Sequence, residues 1–143
     1  MFLNFFITYT IAFCTTLFVC VYILRIPQII TNQTKLVNQY YHTHFKTSVP
    51  LDYILVLIYV CIAKYVIALF QIKRQIYKIA TIIVVTSFIT GSFCYYYILL
   101  PMSSQFFSKW FHKAGYMSIV YDIILLVMTY MIMEYIIHCQ SMI

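Results

Sequence analysis

The fold class predicted by this sequence is all-α, a polytopic membrane protein with four transmembrane helices, and three observations predict it. Hydrophobic residues make up 64% of the chain and charged residues only 8%, with a mean hydropathy of +0.93. A soluble domain of 143 residues could not hide that much apolar surface. The apolar residues fall into four runs, each of about 20 or more residues, long enough at ~1.5 Å per residue to cross ~30 Å of hydrocarbon. Two glycines and three prolines leave few breaks. The expected architecture is one domain over residues 1–143. Its spans lie at about 2–24, 51–70, 79–100 and 116–137, with two short interfacial helices at about 28–46 and 103–114.

The first span, residues 2–24, lacks the basic start and small-residue cleavage site of a secretory signal, so it reads as a retained anchor. Arg25 marks the interface, and Pro27 is expected to stop the helix. In the long link that follows, Ile30, Val37, Tyr41 and Phe45 share one helical face, with Lys35, Gln39, His42 and Lys46 on another. That pattern predicts a helix lying in the interface plane. Asn32-Gln33-Thr34 matches the glycosylation triplet, but Asn32 sits close to a span end and its modification is not expected.

The second span, residues 51–70, should begin at Pro50 and Asp52, which suit the first turn of a helix. Residues 71–78 read as a short basic turn. The third span, residues 79–100, places Thr86, Thr90, Cys94 and Tyr97 on one face. Ser87 and Gly91 form a small-x-x-x-small pair that lets another helix approach. In the link that follows, Phe106, Phe107, Trp110 and Phe111 form an apolar stripe opposite Gln105, Lys109, His112 and Lys113. The period is helical, Ser103 or Ser104 can cap the start, and the four rings are expected to anchor this helix at the lipid interface. The fourth span, residues 116–137, carries Asp122 and Glu134, two of the three carboxylates.

The net charge is +6, but the nine basic residues sit mainly in short links where lipid headgroups meet them, so the expected partner is the bilayer, not nucleic acid. Arg25, Lys35, Lys46, Lys109 and Lys113 on one side outnumber Lys73, Arg74 and Lys78 on the other. The positive-inside rule then puts the long links in the cytosol and both termini outside. The five cysteines contain no C-x-x-C, which argues against a disulfide framework, a zinc site and thiol-oxidoreductase chemistry. His42 and His44 are two residues apart and do not share a helical face, so no metal site is expected. No Ser-His-Asp set, glycine-rich phosphate loop or His-Glu-x-x-His occurs, and neither a catalytic residue nor a cofactor is expected.

The intramembrane ionisable groups carry what chemistry remains. The second and fourth spans run in the same direction, which brings Lys64 and Glu134 within a few ångströms in depth and makes an ion pair available. Asp122 lies at the opposite end, level with Asp52. With Thr86, Thr90 and Tyr97 it defines a candidate polar cavity or ion path, because carboxylates inside membranes commonly mark such paths.

From residue 79 onward the sequence resembles a family of small four-helix membrane proteins of unknown function found in bacteria and large DNA viruses. Gly91, the three tyrosines at 95–97, Trp110 and Asp122 carry the resemblance. The acids that the family places after the tyrosines and in the first helix are missing here, as is a Trp-Gly after the last aspartate. The composition, rich in Ile, Tyr and Phe, is similar to that of proteins from AT-rich genomes, and a viral origin would imply a virion or host endomembrane. The expected role is structural or in assembly, through other membrane proteins or self-association. The alternative is a small oligomeric channel or transporter using the acidic residues.

Overall fold

The structure is a computed structural model that describes residues 2–141. Among these the chain is mainly helical, with short breaks between the helices, and has no strand. Helix α1 (Phe2–Leu17) runs into a π-helical turn (Phe18–Ile23). The short helices α2 (Ile26–Thr31) and α3 (Thr34–Asn38) follow, and α3 continues into a second π segment (Gln39–Thr43). Then come α4 (Phe45–Leu69), α5 (Gln75–Leu99), α6 (Phe106–Ala114) and α7 (Met117–Ser141). Four stretches are long and apolar enough to cross a membrane: Asn4–Ile23, Phe45–Leu69, Gln75–Leu99 and Met117–Gln140. The chain thus has the all-α, four-span architecture of a multi-pass membrane protein.

Helix α7 is the hub, packing against α1, α2, α4, α5 and α6. Its buried face is Tyr121, Leu125, Leu126, Thr129, Tyr130 and Met133, at the three-and-four spacing of one helical stripe. Against it lie Tyr9, Phe13 and Leu17 of α1, and Ile82, Thr86 and Thr90 of α5 are buried on the same core. The outward faces, including Phe88, Tyr95 and Tyr135, are exposed and belong in lipid. Gly91 of α5 faces α7, where an added Cβ would lie 3.9 Å from Ile119 Cδ1. This is ordinary van der Waals separation, so the Ser87/Gly91 pair does not mark an unusually close approach.

Several boundaries differ from the sequence expectation. Helix α4 starts at Phe45, not beside Pro50, which lies inside it. There proline removes one ladder bond, to the Lys46 carbonyl, which would have been the third counting from that of Ser48 N to His44 O. Helix α5 starts at Gln75, so Lys78 is helical and the basic turn is confined to the residues between α4 and α5. Pro27 does not end the first span: it sits in the first turn of α2, and the break is at Arg25, which adopts a left-handed φ of 51°. The single interfacial helix expected at 28–46 is broken at Asn32, also left-handed with φ 53°. The helix expected at 103–114 begins at Phe106. Neither serine caps it: Ser103 Oγ accepts from Gln105 N at 3.3 Å, and Ser108 Oγ accepts from Ser103 N at 2.9 Å.

Two turns set where the long helices point. Gly115, with φ 54° and ψ −136°, reverses the chain from α6 into α7 in a conformation that side-chain-bearing residues rarely adopt. At the end of α4, Gln71 N bonds Ala68 O at 3.1 Å and Ile72 N bonds Ile67 O at 2.9 Å. This is a Schellman closure with Gln71 at the left-handed position (φ 50°) where glycine is usual. Gln71→Gly should therefore raise stability by roughly 0.5–1 kcal/mol, relieving the strain of a Cβ in this conformation. The check is the midpoint of SDS-driven unfolding in mixed micelles, and an unchanged or lower midpoint would contradict the assignment.

Candidate functional site

At the end of the bundle that bears the two long links, the helices surround a partly open cavity of about 210 Å³. It is built from six parts of the chain, including Val37 of α3 and Phe93 and Tyr97 of α5. Helix α4 contributes Asp52, Val56 and Tyr59, and the π segment before it contributes Tyr40 and Tyr41. Helix α7 contributes Tyr121 and Asp122, while α6 closes the chamber with Phe106, Phe107, Trp110 and Phe111.

Two carboxylates stand in this wall, each held by hydroxyl donors. Tyr40 OH donates to Asp52 Oδ1 at 2.6 Å and Tyr41 OH to Asp52 Oδ2 at 2.8 Å. With its proton committed to Asp52, the Tyr41 oxygen accepts from Tyr121 OH at 2.8 Å. Burial, then the neighbouring Asp52 charge, raises both the Tyr40 and Tyr41 phenols above the ordinary tyrosine range. Both therefore remain protonated donors at neutral pH. Thr90 Oγ1 donates to Asp122 Oδ2 at 2.7 Å, and Tyr59 OH lies 3.3 Å from the same threonine oxygen. The two relays, Tyr121–Tyr41–Asp52 and Tyr59–Thr90–Asp122, tie the long link, α4, α5 and α7 together across the chamber.

Of the four residues read from the sequence as a polar cavity, Asp122 and Tyr97 line the chamber and Thr90 bonds Asp122. Thr86 is buried one turn further along α5, away from the lining. The aromatic stripe of α6, expected to face the lipid interface, packs on protein rings, with Phe106 and Phe107 only partly buried. Trp110 and Phe111 are buried, Tyr40 stacks on Phe106 with centroids 4.1 Å apart, and Tyr97 stacks on Phe111 at 5.4 Å. Rings offered by the other link and by α5 give this stripe a denser partner than headgroups would. Of the face expected to lie in the interface plane, Val37 and Tyr41 are buried in the bundle, Ile30 is partly buried and Phe45 is exposed. Asn32 is exposed at the break between α2 and α3.

Sequence reasoning missed the parts played by Asp52, Tyr40, Tyr41, Tyr59 and Tyr121. The one usable signal was the Tyr-Tyr pair placed 11 and 12 residues before Asp52, about three helical turns. At the other end of the bundle, Lys64 Nζ lies 3.4 Å from Glu134 Oε1, and Lys78 Nζ lies 3.5 Å from Oε2. Lys64 Nζ also sits 5.7 Å from the Phe5 ring centroid and 5.8 Å from that of Tyr130. Among the described residues no group of three or more His, Cys, Asp or Glu is placed to hold a metal ion. No family model matches this chain, and no curated protein or solved structure matches it.

Proposed function

We propose that this protein is a small membrane carrier or channel subunit that admits small cations, the proton included, into the chamber bounded by Asp52 and Asp122. The observation that carries this reading is the chamber itself, about 210 Å³ of space beside two carboxylates in a membrane-spanning bundle. A bundle serving only as a structural or assembly component has reason to fill such a space with side chains and to leave acids out of it. The assembly reading draws on the broad apolar exterior, but lipid alone accounts for that surface. Along α5 the buried Thr86 extends the polar face from the chamber toward mid-bundle.

Proteoliposomes containing a pH-sensitive dye test the proposal under an inside-negative potential. Acidification is expected to run several times faster than in protein-free vesicles. Asp122→Asn, with the folded helical content retained, is expected to slow it about tenfold, as loss of one essential carboxylate would. Rates equal to those of protein-free vesicles, or indifferent to Asp122→Asn, would return the chain to the assembly reading.

A further inference from the structure

The chamber's walls restrict what it can hold. Ten of the eighteen residues lining it are aromatic, and the oxygens it offers are two carboxylates and a few hydroxyls. Hard inorganic cations such as Ca²⁺ and Mg²⁺ favour sites built from oxygens and water, whereas most of this lining is ring and alkyl surface. Aromatic faces attract an ammonium group and pack against its alkyl stem. Size adds a second limit: about 210 Å³ is roughly the volume of seven waters in the liquid and lies below that of drug-sized sites.

The charge balance of the chamber points the same way. Among the described residues the ion pairs are those of Glu134 with Lys64 and Lys78, at the far end of the bundle. Asp52 is faced by the Tyr40 and Tyr41 hydroxyls and Asp122 by that of Thr90, with Tyr59 and Tyr121 behind them. Arg25, Lys35, Lys46 and Lys113 at the link end are exposed, and none of them lines the chamber; nor does Lys109 or His112. Two carboxylates facing one low-dielectric space repel each other when ionised, and a single positive charge between them relieves that repulsion.

We infer that the chamber binds a small organic ammonium ion, with its N–H groups on Asp122 and its short alkyl body among the α6 rings. Asp122 takes the direct contact because it accepts one hydrogen bond among the described residues, whereas both oxygens of Asp52 already accept from phenols. Asp52 acts through its charge. This inference rests on the proposal that the chamber admits small cations, and it names the class of cation.

Trp110, the chain's only tryptophan, lines the chamber and reports occupancy by its fluorescence. The full chain, purified in detergent, is titrated with n-propylammonium, 1-propanol and propionate. A saturable change is expected with n-propylammonium, at concentrations at least tenfold lower than any change with the neutral or anionic analogue. Asp122→Asn should weaken n-propylammonium binding about tenfold, while Lys73→Gln at the opposite end leaves it unchanged. If Asp122→Asn does not fold, the ligand series on the unaltered protein decides alone. Equal binding of 1-propanol would overturn the ammonium inference and leave the solute chamber standing. No saturable change with any of the three would overturn both.

Discussion

Glu134→Gln is expected to lower stability by roughly 1–3 kcal/mol, less than the ~3–5 kcal/mol for breaking a fully buried pair, because the three side chains are about a quarter exposed. The loss arises from what remains behind. Glu134 is the one anion between two ammonium groups, 3.4 Å from Lys64 and 3.5 Å from Lys78. Its neutralisation leaves two like charges facing each other near the end of a membrane-spanning bundle. Lys64 is also partly fixed, by the faces of Phe5 and Tyr130, and cannot turn away freely. Adding Lys64→Gln to Glu134→Gln should recover part of the loss, and adding Lys78→Gln a further part. SDS-driven unfolding of the single, double and triple variants measures this, and strictly additive losses would reject the triad.

The four spans were legible because a run of about 20 apolar residues has few places to be other than a bilayer. Their ends were less so. Pro50 looked like a helix start, yet proline is tolerated a turn further in when only one ladder bond is lost, and α4 begins at Phe45. Lys78 was read as part of the basic turn, which hid its approach to Glu134, whereas the Lys64–Glu134 juxtaposition could be worked out from helix direction and rise alone. The chamber was half legible. Thr90 and Asp122 lie on regular helices whose faces can be counted, and the structure brings them together. Tyr41 and the α6 rings were assigned to lipid because an amphipathic stripe looks the same in sequence whether its apolar side meets lipid or protein. What decides between the two is the left-handed turn at Asn32 and the reversal at Gly115, which fold the links back over the bundle.

Tyr41→Phe is expected to cost roughly 2–4 kcal/mol, from two losses that fall on different helices. The first is a hydrogen bond to a carboxylate, Tyr41 OH to Asp52 Oδ2 at 2.8 Å. The second is the acceptor for Tyr121 OH, 2.8 Å away on a residue only 3% exposed, which leaves a buried hydroxyl without its partner. Tyr40→Phe should cost less, since its hydroxyl donates to Asp52 at 2.6 Å and leaves no second hydroxyl stranded. The relay also predicts a sign for the cycle. In the Tyr41→Phe/Tyr121→Phe double variant there is no stranded hydroxyl, so its loss should be smaller than the sum of the two single losses. Unfolding midpoints for the three tyrosine variants and the double variant carry the test. A double variant as damaging as the sum would mean that Tyr41 and Tyr121 act separately, and that the long link is held over the chamber by packing alone.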